Sequence, residues 1–283
     1  MAPAVPSRAP IEAEFGRYAP SAHLARLIAA TRACGMGWAG SRRAFALRKV
    51  AQKIAGPAAL DVETFGMRMR LTAADNSSEK RLLYTPQYVD PVERGILDAR
   101  LPCDGVFVDV GANVGAFSLF VAAQRPRGLV VAVEPQAEIC ARLAFHVRVN
   151  ASCAIRVAEC ALADREGDAE LFVDPRDKAR ASIRMLGGDG AQERRRVPAT
   201  TLAALCRQER IEKIDALKID AGGADDLILD AFFATAPKRM RPATLIVDAT
   251  TPASASLAPR LAAIGYRALA RTRANHVFEL REV

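Results

Sequence analysis

The feature that most constrains this chain is the run between residues 105 and 134. VFVDV is a continuous apolar strand, GANVGAFSLFVAAQ turns through two glycines into a helix, and LVVAVE is a second apolar strand that ends on an acid. PQAEICARLAFHVRVN follows as a second helix. Strands apolar on both sides, separated by helices, form a parallel sheet covered on both faces. The pattern continues. AIRVAECAL reads as a third strand, IDALKID as a fourth with ADDLILDAFFA as its helix, and TLIVDA as a fifth. SLAPRLAAIG, YRALAR and HVFELRE supply a helix and two further strands. AELFVD, after the turn REGD, is an added strand, and TTLAALCRQE is a helix capped by Thr200 or Thr201. Residues 174 to 196 read as a polar loop. The fold class is α/β and Rossmann-like, with a mostly parallel seven-stranded sheet spanning 101–283.

Two segments precede this domain. Residues 1–60 read as a poorly ordered Pro- and Ala-rich lead-in followed by a helical extension, broken into two short helices by Gly35, Gly37 and Gly40. In 61–100 we expect a hairpin, with strands at Phe65 to Thr72 and Arg81 to Tyr84 around the turn ADNSSE, and then a short helix starting at Pro91.

The formal charge of +8 raises nucleic acid and anionic membranes as partners. The cations cluster at Arg42, Arg43, Arg48, Lys49 and Lys53 and at Arg194 to Arg196, with no interleaved aromatic stacking pattern, so solvated faces are expected and nucleic acid is not. The basic N-terminal helices leave weak contact with a membrane surface open. The six cysteines form no CxxC pair, and three histidines offer no zinc spacing. No apolar run reaches transmembrane length and the start lacks a secretory pattern, so the expected location is cytoplasmic.

The glycine loop carries the chemistry. A dinucleotide fingerprint would put glycines at 111, 113 and 116, where this chain has Gly111, Asn113 and Ala116. Asp109 adds a carboxylate that repels a diphosphate and suits an ammonium or sulfonium. Glu134, 19 positions after Gly115, ends the second strand where an acid accepts hydrogen bonds from ribose hydroxyls. Together Asp109, Gly111, Asn113, Gly115 and Glu134 predict S-adenosylmethionine as cofactor. The competing reading of Glu134 is a solvated strand end. Backbone at Cys160 and Ala161 is expected against the adenine, because ligands bind beyond the carboxyl ends of parallel strands. Lys218 and Asp220 share one face of the fourth strand, either as a structural ion pair or with Asp220 turned to the site.

The stretches FVDVGANVGAFSLFVAA, VEPQAEICARLAFHVRVN, AECALADREGDAELFV, VPATTL and IDALKIDAGGADDLILDAF resemble the FkbM family of methyltransferases from about Phe65 to Asp248. The resemblance implies a class I methyltransferase fold, O-methylation of a hydroxyl on a sugar, glycolipid or secondary metabolite, and cofactor contacts that include Asn150. Two positions depart from the family pattern. Ala203 stands where an Asp usually follows TTL, and Gly222 stands where a Glu usually follows KID and one residue.

Asp220 is the candidate catalytic residue, as base or acceptor-orienting group. His146, spaced for a helix face, is not. The expected partner is a small-molecule or glycan acceptor. The alternative is a cofactor-binding protein with lost or altered catalysis, acting as scaffold or partner subunit. A base-methylating enzyme would commonly hold a flipped base with an Asn/Asp-Pro-Pro-aromatic element after the fourth strand, where this chain has IDAGGAD.

Overall fold

The computed structural model describes residues 12–150, 154–183, 193–251 and 254–281; most of the expected lead-in and part of the 174–196 loop lie outside them. In chain order the elements are α1 (Ala22–Arg32), α2 (Trp38–Ala55), β1 (Leu60–Thr64), β2 (Met67–Leu71), α3 (Ser77–Tyr84) and α4 (Pro91–Arg100), then β3 (Val106–Val110), α5 (Ala116–Gln124), β4 (Leu129–Val133), α6 (Ala137–Val149), β5 (Ile155–Ala158) and β6 (Ala161–Leu162). The second half adds β7 (Gly167–Val173), β8 (Ala181–Ser182), β9 (Glu193–Thr200), α7 (Leu202–Gln208), β10 (Ala216–Ile219), α8 (Asp225–Thr235), β11 (Thr244–Asp248), α9 (Ser254–Ala263), β12 (Tyr266–Arg271) and β13 (Asn275–Leu280).

The main sheet has seven strands in the order β12-β13-β11-β10-β3-β4-β5. β5, β4, β3, β10 and β11 are parallel, and β13 runs antiparallel to both its neighbours. The two-residue period of a strand divides the core. Phe107, Val130, Ala132, Ala216 and Ile246 face the layer that includes α5, α6 and the β1–β2 hairpin. Val108, Val110, Val131, Val133, Leu217 and Ile219 face the layer of α7, α8 and α9. The chain leaves β3 for β4 and β5 and returns on the other side for β10, so the crevice at the ends of β3 and β10 is the switch point where such sheets bind ligands.

Three local expectations are corrected. The hairpin pairs β1 with β2 through Phe65 and Gly66, and Arg81 to Tyr84 belongs to helix α3. The cause is the N-S-S-E run: Asn76 caps the helix by accepting the Glu79 amide at 3.1 Å, which is a helix start signal. Residues 193–196 extend β9, which with β6, β7 and β8 forms a separate four-stranded sheet. The third strand is likewise divided, with β5 in the main sheet and β6 in the smaller one. The two helices of the N-terminal extension are present, the second of them 18 residues long, and Thr201 is the cap of α7.

Candidate active site

A cavity of roughly 790 Å³ opens over the carboxyl ends of β3, β4 and β10. Its walls come from the loops after these strands, from α3 through Ser78, Arg81 and Leu82, and from the small sheet through Leu171, Phe172, Ala181 and Ser182. The segment 174–180 is tied down at one edge. Lys178 Nζ lies 2.8 Å from Asp75 Oδ2 and 2.7 Å from Glu138 Oε2. Arg142 bonds Asp75 and the buried Glu79.

Glu134, 3% exposed, is no solvated strand end. Its Oε2 accepts the Asn113 amide at 2.9 Å and its Oε1 the Gln136 amide at 3.0 Å. The acid therefore clasps the glycine loop to its own strand end. Burial pushes its carboxyl up to about 7, partly offset by those two amides. Asn113 adopts φ +52°, a conformation asparagine tolerates, and its Oδ1 accepts from Asn76 Nδ2 at 2.9 Å. Gln136 donates to the Lys178 carbonyl at 2.8 Å, while its Oε1 has no partner among the described residues and the side chain borders the cavity.

Asp109 lies beneath the cavity and not in its wall. Its Oδ2 accepts from the Ser118 amide at 3.1 Å and hydroxyl at 2.6 Å. It thus caps α5, whose N-cap residue, Gly115, has no side chain to do so. Oδ1 has no hydrogen-bond partner among the described residues, and Lys218 Nζ stands 3.7 Å away. Lys218 faces Asp109 across the parallel register. It donates to the Gly111 carbonyl at 3.1 Å and lies 3.6 Å from Asp220 Oδ2. Burial works against its charge, but Asp220, Asp109 and Asp90 outweigh that and raise its pKa. Asp220, half-exposed, is turned into the cavity, so it is both a partner of Lys218 and a group that faces the site.

Of the residues singled out in the sequence, Gly111, Asn113, Glu134, Cys160, Ala161 and Asp220 line one cavity. Gly115 serves packing instead: a Cβ there would lie 2.6 Å from Leu143 Cδ1, where α5 meets α6. Asn150 is outside the wall too. Its amide holds the hairpin, donating to the Arg68 carbonyl at 2.8 Å and accepting the Arg68 amide at 3.0 Å. His146, fully buried, bonds the Val114 carbonyl and the Arg70 backbone, with burial lowering its pKa. Burial pushes the Cys160 thiol up to about 11, which leaves it neutral and unreactive.

Sequence reasoning missed Arg81, Asp90, Asp248 and Asn275, which complete the wall from α3, the start of α4, β11 and β13. Asp90 carried a signal, since an acid directly before Pro91 occupies a helix N-cap. Asp248 closes β11 as Asp220 follows β10. Among the described residues no group of three or more His, Cys, Asp and Glu could hold a metal, and no helix is long and apolar enough to cross a membrane.

The wall groups fit a cation that also carries hydroxyls. Asp90, Glu134, Asp174, Asp220 and Asp248 bring carboxylates to the wall, which also holds Lys218, Arg81, Arg176 and Arg180; Glu134, Asp220 and Asp248 stand at the strand ends, and Gln136 adds an acceptor with no partner among the described residues. At the strand ends a diphosphate would meet carboxylates.

The chain is similar to several known proteins. A 105-residue stretch is 41% identical to the AMB antimetabolite synthetase AmbE of Pseudomonas aeruginosa; it covers 36% of this chain and 5% of that protein, so the chain spans about a twentieth of the relative's length. Among solved structures, the precorrin-6Y C5,15-methyltransferase of Geobacter metallireducens is 15% identical over 70% of this chain and 90% of its own, with a TM-score of 0.44. The M. jannaschii TYW2 in complex with AdoMet is 12% identical over 80% and 88%, with a TM-score of 0.42. The family model of the methyltransferase FkbM domain matches residues 109–261, from the acid that caps α5 to the last helix, and with more than half its length inside that match the chain belongs to the FkbM methyltransferase family.

Proposed function

We propose that this chain is an S-adenosylmethionine-dependent methyltransferase that methylates a hydroxyl oxygen of a small-molecule or glycan acceptor. The observation that carries the reading is the set of carboxylates at strand ends on either side of β3, Glu134 after β4 and, beyond β3, Asp220 after β10 and Asp248 on β11, at the switch point of the sheet. S-adenosylmethionine supplies an electrophilic methyl group on a sulfonium. Glu134 would accept hydrogen bonds from ribose hydroxyls through the lone pairs its two amide donors leave free. The backbone at Gly111 and Ala112 borders the cavity and would meet the amino-acid end of the cofactor, while Cys160 and Ala161 border it where the adenine is expected.

Asp220 would orient the acceptor hydroxyl and take its proton. Lys218, held by the Gly111 carbonyl and Asp109, steers that carboxylate from below. The work left to the protein is largely alignment.

The non-catalytic alternative rested on Ala203 and Gly222. Ala203 lies on α7, packed against the core and away from the cavity wall. Gly222 has a steric reason: at φ +60° a Cβ would lie 2.2 Å from the Ala181 carbonyl oxygen, so strand β8 occupies the room a side chain would need. Calorimetry with S-adenosylhomocysteine and with NAD tests the cofactor. Mass spectrometry of a cognate extract incubated with methyl-labelled cofactor tests the acceptor. Binding of the first ligand with label on a hydroxyl oxygen supports the reading; binding with no transfer favours the alternative.

A further inference from the structure

Charge in this chain is segregated. Between residues 16 and 60 the sequence holds eight Lys and Arg and no Asp or Glu, so this segment accounts for the whole net charge of +8 and the remainder is balanced. Five of these cations, Arg42, Arg43, Arg48, Lys49 and Lys53, lie on α2.

Apolar exposure is concentrated in the same place. Of the seven exposed large hydrophobic residues among those described, Met36, Trp38, Phe45, Val50 and Ile54 lie on α2 or just before it, with Trp38 76% exposed. The buried Ala44 and Ala51 define the helix's inner side. Trp38, Arg42, Phe45 and Lys49, at helical spacings of four and three, run along the outer side. Arg42 stacks 5.0 Å from the Trp38 ring centroid, and Arg48 4.6 Å from that of Phe45. A solvated basic face needs no tryptophan. Interfacial helices combine Lys and Arg with Trp and Phe, because the cations meet lipid headgroups while the rings enter the acyl boundary.

We propose that the outer face of α2, led by Trp38 and Phe45 among Arg42, Lys49 and Lys53, docks the chain on the surface of an anionic phospholipid bilayer. A nucleic acid would match the cations but leave the apolar exposure of α2, which continues round the helix from Trp38 and Phe45 to Val50 and Ile54, in water. A second copy would set like charge against like. The docked face lies near one wall of the cavity: the Phe45 ring is 6.2 Å from that of Tyr88, which precedes the wall residues Val89 and Asp90.

Trp38 is the chain's sole tryptophan and reports directly. Vesicles of phosphatidylcholine with phosphatidylglycerol should move its emission to the blue and, with bromine-labelled acyl chains, quench it; vesicles of phosphatidylcholine alone should do neither. The triple variant R42E/K49E/K53E should partition at least about tenfold more weakly, with an unchanged melting curve. An unaltered Trp38 spectrum on anionic vesicles overturns the proposal. So does binding to a random oligonucleotide without any response to vesicles, or lipid-free self-association that buries Trp38.

Discussion

A Cβ placed on Gly111 would lie 2.0 Å from the carbonyl oxygen of Asp220. The loop after β3 and the end of β10 therefore meet as bare backbone, and the closeness of that seam holds the two strand ends that frame the cavity. Gly111 also sits at φ +69°, where a side chain adds strain. Gly111→Ala should destabilise the protein by more than about 2 kcal/mol and abolish S-adenosylhomocysteine binding. Urea unfolding and calorimetry check both. A variant of parental stability would mean that the seam opens freely.

Lys218 and Asp220 separate structure from turnover. The Lys218 side chain is 7% exposed and that of Asp220 is 51% exposed. Lys218→Met leaves Asp109 buried without its cation and should cost about 3 kcal/mol or more. Asp220→Asn should leave the melting temperature and cofactor affinity near parental values and reduce turnover about a hundredfold. Undiminished turnover in Asp220→Asn, from an active parent, removes that residue from the mechanism.

Buried acids give opposing pH dependences. The carboxyls of Glu134 and Asp225 are pushed up to about 7, and that of Glu79 to about 6, by burial in each case. The folded protein then binds more protons than the unfolded chain between the ordinary carboxylate range and about 7, so these groups make stability fall as pH rises through that window. The melting temperature of the ligand-free protein should be higher near about pH 5.5 than near about pH 7.5. Hydroxyl donors favour ionised Glu134, so S-adenosylhomocysteine should bind more tightly as pH rises, by up to about tenfold per unit below that carboxyl's pKa. Glu134→Gln should flatten this dependence, and a slope unchanged in that variant assigns it elsewhere.

Glu134→Ala should weaken S-adenosylhomocysteine binding by about 1–3 kcal/mol, the loss when buried polar partners go unpaired. Because the acid also clasps the Asn113 and Gln136 amides, hydrogen exchange at these two amides should quicken in the same variant. Parental affinity with faster exchange would confine Glu134 to holding the loop.

Restoring the carboxylate at position 222 should not raise activity. Gly222→Glu puts a side chain at φ +60° against the Ala181 carbonyl, and Ser182 Oγ donates to the carbonyl of Gly222 on the same seam. The expected result is a lower melting temperature with turnover no higher than the parent's. A gain in turnover at unchanged stability would show that β8 yields and that the carboxylate was missing from the chemistry.

What the sequence determined by itself is local in origin. β3, β4, β10 and β11 are legible because a strand buried on both faces must be apolar along most of its length, so Asp109 and Lys218 stand out as polar residues inside such runs. Gly111, Asn113 and Glu134 are legible because a sharp turn and an acid at a strand end leave marks at fixed spacing. Tertiary structure decided the rest. Gly115 and Asn150 carry the right letters, yet one makes room for Leu143 and the other ties β2 to α6, since a residue's neighbours from distant elements determine what it touches. Asp90, Arg81, Asp248 and Asn275 reach the cavity from four separate elements whose convergence no spacing encodes. The exposure of Trp38 was decided in the same way: α2 packs on α1 and buries Ala44 and Ala51, which leaves Trp38, Phe45 and the neighbouring cations on its open side.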